Sequence, residues 1–171
     1  MVRDLGVKRA KPKLRIDLFR SYVTTIENSL GSTLFRNLYF FKDGKSIDIL
    51  NIGPRNHSCA SYVSSIVYLF GLIKERHATV SGIIADIERS GWRASQKPRK
   101  GAIILWDYAK KSKAVLIPTL HVGFYMDTKT ALSTDPFSGK VIKHHPTFGI
   151  RSDGSPRRRV VAYYWNKKLE V

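Results

Sequence analysis

Cys59 is the only thiol in the chain. It heads a long apolar run, Asn56-His57-Ser58-Cys59-Ala60-Ser61-Tyr62-Val63, and a strand-like run farther on reads His121-Val122-Gly123-Phe124-Tyr125-Met126. A thiol at the start of a helix gains from unpaired backbone N–H groups and from the positive end of the helix dipole. An imidazole held against it takes the proton and, as imidazolium, lowers the thiol pKa further. The thiolate then attacks a carbonyl carbon while nearby N–H donors stabilise the developing oxyanion. A third polar group has to hold the ring in the useful tautomer. Cys59 and His121 can therefore serve as nucleophile and base, provided the strand packs across the helix N-terminus.

The other histidines compete less well for that role. His57 is only two residues from Cys59, which suits a loop or oxyanion-site neighbour better than a base. The pair His144-His145 brings metal binding to mind, but adjacent strand residues point to opposite faces, and no carboxylate or cysteine completes a ligand set there. No metal and no cofactor is expected. A lone cysteine opening an apolar helix is also, in the plainest reading, a small buried residue.

The elements that must position these groups follow from hydrophobic spacing. Apolar residues at 18, 19, 22, 23, 26 and 30 predict a helix over 14–30, stopped by Gly31. Residues 34–41 and 46–52 read as a hairpin turning at Asp43-Gly44, and Gly53-Pro54 breaks the chain before the cysteine motif. A second helix is expected over 59–74 with Ser58 as its N-cap, and a third from Thr79 or Ser81 to Gly91. Strands are expected at 102–107, 120–127, 129–134, 140–144 and 160–165. Helices lead and antiparallel strands follow, an α+β order. Residues 1–13 are basic and aperiodic and read as a flexible arm, leaving 14–171 as a single domain.

Composition narrows the classes. The chain has 171 residues with 43% apolar content, enough for a sizeable core and too much for general disorder. One cysteine excludes an internal disulfide framework and a Cys-rich zinc site. No secretion signal is expected, because no apolar segment follows the basic N-terminus, and residues 61–73 are too short to span a bilayer. Compartment and oligomeric state stay open. Thirty Lys and Arg against thirteen Asp and Glu give a net charge of +17. The excess clusters at residues 8–15, 97–100, 110–113 and 157–159, a field that attracts polyanions such as nucleic acid or anionic polymers.

Four pieces in this order resemble a known family. Ser58-Cys59-Ala60-Ser61-Tyr62-Val63 opens a helix, and Lys97-Pro98-Arg99-Lys100-Gly101 turns into Ala102-Ile103-Ile104-Leu105-Trp106. His121-Val122-Gly123-Phe124-Tyr125-Met126 follows, and then Ala131-Leu132-Ser133-Thr134-Asp135 with Gly139 and Val141. Over residues 50–166 the layout is similar to the papain-like cysteine hydrolases of the NlpC and CHAP type. The resemblance implies a papain-like α+β domain, its cysteine helix packed on an antiparallel sheet of five to six strands. It implies hydrolysis of peptide or amide bonds, above all in peptidoglycan, with Cys59 as nucleophile and His121 as base. Family register puts the third residue at Ser133, whereas Asp135 would orient an imidazole better and shares its strand parity. Both stay open. Permuted relatives that transfer acyl groups to lipids place His before Cys, the reverse of the order here. The rival expectation is a non-catalytic nucleic-acid-binding or polyanion-binding domain on the same fold, using the Lys/Arg clusters.

Overall fold

The computed structural model describes residues 14–107 and 120–170. The basic arm at 1–13 and the lysines at 110, 111 and 113 lie outside these described residues. Helix α1, Leu18–Asn28, starts where Asp17 accepts the backbone N–H of Arg20 at 2.9 Å, and it buries Tyr22, Val23 and Ile26. It is shorter than its apolar spacing predicts. Leu14 and Ile16 precede the Asp17 cap and stay exposed.

Strands β1, Tyr39–Lys42, and β2, Lys45–Asp48, form a separate two-stranded hairpin across the Asp43-Gly44 turn. Its arms are shorter than expected, and Tyr39, Phe40 and Phe41 remain exposed. Helix α2, Cys59–Leu69, is buried around most of its circumference, with Tyr62, Val63, Ile66 and Val67 at its centre. It ends five residues before the expected limit. Gly71 takes φ +63°, and the backbone N–H groups of Gly71 and Leu72 turn back onto Tyr68 and Val67. Helix α3, Val80–Arg89, begins at Thr79, whose hydroxyl accepts from Gly82 N.

The main sheet has six antiparallel strands: β3 Trp92–Ser95, β4 Ala102–Trp106, β5 His121–Asp127, β6 Thr130–Thr134, β7 Val141–His144 and β8 Val160–Asn166. Their spatial order is β3-β8-β4-β5-β6-β7, so β4 and β5 are central. β3 is not legible in the hydrophobic pattern, because the alternation Trp-Arg-Ala-Ser is only four residues long and Ala94, though apolar, is exposed. Tertiary contacts make it, since Trp92 is fully buried and donates Nε1–H to the Leu72 carbonyl at 2.9 Å.

The central strands separate two cores by parity. Ile103, Leu105, Val122, Phe124 and Met126 pack toward the helices, where the Phe124 ring meets Tyr62 edge-on at 5.3 Å. Ala102, Ile104, Trp106 and Tyr125 form a smaller cluster on the opposite side, joined by Phe148 from the loop after β7. The Trp106 indole N–H pins that loop by donating to the Pro146 carbonyl at 2.6 Å. Among the described residues, no helix is long and apolar enough to cross a membrane.

Candidate active site

Asn56 positions the head of α2. Its side-chain amide donates to the Arg36 carbonyl and to Asn51 Oδ1, both at 2.8 Å, and its Oδ1 accepts the Ser58 backbone N–H at 3.1 Å. Its own backbone N–H donates to the Pro136 carbonyl at 2.7 Å, tying the loop to the end of β6. Ser58 occupies the cap position, yet its hydroxyl makes no capping bond. The cap role expected of that side chain is thus taken over in part by Asn56, two residues earlier. The Cys59 sulfur faces the backbone N–H groups of Ala60, in its own helix, and of Val122, in β5.

Val122 follows His121 directly, so β5 crosses the head of α2 at this point. On the opposite face of β5, Gly123 leaves room for the Trp106 ring. A Cβ there would lie 2.3 Å from the Leu132 carbonyl oxygen and 3.0 Å from Trp106 Cη2, inside contact distance of both. The Trp106 and Phe148 rings, themselves 5.2 Å apart, both lie beside the His121 ring, at 5.3 and 5.9 Å between centroids. Phe148, at φ +58°, also stacks on His144 at 4.0 Å.

Cys59 and His121 line one cavity of ≈ 830 Å³. Its walls include Ile49, Leu120, Ile142 and Phe148, with Arg55, His57, Asp135 and Arg158 supplying the polar groups. No hydrogen bond joins the sulfur directly to the imidazole among the described residues. Instead, the backbone N–H of Val122, the next residue along the strand, acts to lower the thiol pKa.

Electrostatics set the protonation of the pair. Burial pushes the Cys59 thiol up, and the N–H groups of Val122 and Ala60 and the Arg158 guanidinium offset only part of this. Burial pushes the His121 imidazole well down, and Arg158 and His144 add to the effect. The thiol shift is opposite to that expected from the helix dipole and an imidazolium neighbour. Desolvation outweighs a half-charge dipole when the sulfur sits this deep. Both shifts favour the uncharged forms of thiol and imidazole.

Neither candidate for the third position hydrogen-bonds His121. Asp135 Oδ1 accepts from Phe137 N, Ser138 N and the Ser138 hydroxyl, closing its own turn. Burial raises its carboxyl, but those donors win and hold it below the usual carboxylate range. Ser133 is fully buried and lies 2.8 Å from His144 Nε2. Because His144 Nδ1 faces the His145 carbonyl at 2.8 Å, Nδ1 carries the proton and Nε2 accepts from the Ser133 hydroxyl. The strand parity expected between Ser133 and Asp135 does not apply, because β6 ends at Thr134 and Asp135 has already entered the turn.

Sequence reasoning missed three contributors: Asn56, His144 and Arg158. Asn56 stood inside the quoted cysteine motif, and its type suits a loop brace. The charge of Arg158 was read as part of a surface cluster. Only the fold of the loop after β7 brings it onto the cavity. Compared with known proteins, the chain matches no family model and no curated protein.

Proposed function

We propose that the protein is a cysteine hydrolase of amide or peptide bonds, with peptidoglycan-type peptides as the substrate class and a papain-like arrangement of the NlpC and CHAP kind. One observation carries the reading: Cys59 at the start of α2 and His121 at the start of β5 line the same cavity, with the Val122 N–H on the sulfur. Because both shifts favour the uncharged forms, His121 takes the thiol proton as sulfur attacks the carbonyl carbon, rather than beforehand. The tetrahedral oxyanion is met by backbone N–H groups at the head of α2. Collapse releases the amine, which takes its proton from the imidazolium, and leaves a thioester on Cys59. Water, deprotonated by His121, then attacks the thioester and regenerates the thiol.

A Cys59→Ala protein should keep its circular dichroism and lose hydrolysis by at least about 10³-fold, read as new amino termini released from peptidoglycan fragments. Unchanged release would remove the mechanism.

A second reading has its own support. The exposed Tyr39, Phe40 and Phe41 stand beside exposed Lys42 and Lys45 on the projecting hairpin, within a chain of net charge +17. Aromatic rings with flanking cations suit single-stranded nucleic acid. Its test is a salt titration of oligonucleotide binding, which should weaken steeply as salt rises. Binding that is absent or insensitive to salt rejects it.

A further inference from the structure

Arg158 is the charged group whose position the surface-cluster reading of the sequence leaves unexplained. It sits in the sequence between Arg157 and Arg159, yet those two neighbours are exposed and do not line the cavity, whereas Arg158 is half-buried and does. Its Nε–H donates to the Asp107 carbonyl at 2.9 Å, and its guanidinium carbon lies 5.6 Å from the centre of the Phe148 ring. A guanidinium flanked by a carbonyl and an aromatic face is held in place at small entropic cost, so it arrives at the cavity already oriented. The Asp107 carboxylate acts on it as well, and Arg159 donates to that same carboxylate through Nε at 3.0 Å.

The cavity around it is positive. Arg55 stands in the same walls, and the one carboxylate among the described lining residues, Asp135, has Oδ1 committed to its own turn. Arg158 lines the same cavity as Cys59 and His121, and its charge acts on both and on His144.

We infer that Arg158 is a specificity-determining residue that binds a carboxylate of the substrate beside Cys59, so that the preferred substrates are peptides or acyl amides carrying a free carboxylate close to the bond attacked. The inference deepens the hydrolase reading and rests on Cys59 being the group that meets substrate. A planar guanidinium recognises a carboxylate through paired N–H donors, a geometry lysine does not reproduce.

Alkylation of the single cysteine tests this without a known substrate. Iodoacetate and iodoacetamide both form an S–CH₂ bond at the sulfur and expel iodide, and they differ in carrying a carboxylate or a neutral amide. The ratio of their rates at fixed pH and salt, followed by intact mass, cancels any change in thiol ionisation. Arg158→Gln should lower the iodoacetate-to-iodoacetamide ratio about tenfold, and Arg158→Lys should lower it by less. Arg157→Gln removes the same charge from an exposed position and should leave the ratio within about twofold at 0.15 M salt. Circular dichroism confirms that each variant is folded, and Arg158→Lys supplies the test if Arg158→Gln is not. A ratio unchanged in both Arg158 variants overturns the inference, as does an equal loss in Arg157→Gln. Neither result bears on the hydrolase reading, which stands or falls with Cys59→Ala.

Discussion

His77 and His121 are held in opposite ways. His77 Nε2 lies 2.8 Å from Asp86 Oδ2, a carboxylate only 1% exposed that also accepts from Lys74 N, Glu75 N and the Ser90 hydroxyl. Burial raises the Asp86 carboxyl, but His77 and those donors prevail and keep it below its ordinary range. His121 has aromatic neighbours and no carboxylate bond, and burial favours its uncharged form. The His–carboxylate pair looks more like catalytic machinery, yet it is a brace: it fastens the loop after α2 onto α3, and His77 does not line the cavity. A base has to be able to take a proton and return it. His121 lines the cavity with Cys59 and can exchange a proton there, whereas His77 lies outside it and its bond to Asp86 holds structure.

The sharpest way to break this contrast is to remove each ring. His121→Ala should lower kcat by about 10³-fold with little change in urea midpoint, and His77→Ala should leave kcat per folded molecule within about twofold. A comparable loss of kcat in both would erase the distinction. Next in size, Asp86→Ala leaves two backbone N–H groups, a hydroxyl and an imidazole without their acceptor. It should cost about 3 kcal/mol of stability by urea unfolding.

The two centres also separate by pH. An unfolded histidine protonates near 6.5, whereas folded His121 does so only well below that value. The unfolded chain therefore binds more protons in that interval, and the His121 contribution is complete above pH about 6.5 and falls away below it. Cys59 has the reverse sign. Its unfolded thiol ionises near 8.5 and the folded one later, so that contribution holds below pH about 8.5 and is lost above. Asp86 titrates low when folded, so its contribution is present above about 3.9 and is lost in stronger acid. Thermal unfolding across pH should thus show a plateau between about 6.5 and 8.5. Cys59→Ala should flatten its alkaline edge while leaving the Asp86 limb intact.

The smallest effect expected is at the outer histidine. Ser133→Ala removes the hydroxyl on His144 Nε2 and should lower kcat only a few-fold, because His144 acts on the site through Phe148 and its electrostatic effect on His121. A loss as large as that of His121→Ala would make Ser133 and His144 part of the proton path.

Much of this architecture is legible in the chain. The α+β order, three helices and five of the six strands of the main sheet follow from apolar spacing, and Cys59 at a helix start follows from the break at Gly53-Pro54. The helix ends shifted where a side chain or a turn intervened, at Asp17 for α1 and at Gly71 for α2. β3 was invisible because its alternation spans only four residues, and what secures it is the burial of Trp92 and its bond to the Leu72 carbonyl. The third position failed on a different ground. Asp135 has the right chemistry, but Ser138 and Phe137 lie within reach at two and three residues' distance, and a local turn closes before any long-range partner can compete.

The sequence by itself determined which residues could do chemistry and on which kinds of element they stand, because helix and strand periodicity and cap chemistry act over a few neighbours. The tertiary structure alone decided which of them share a cavity, that Arg158 rather than Arg157 or Arg159 lines it, and in which direction burial shifts the thiol and the imidazole. Those outcomes depend on strand order, on the loop folded back over Trp106, and on the depth of burial. No local pattern encodes these, because each is a property of groups far apart along the chain.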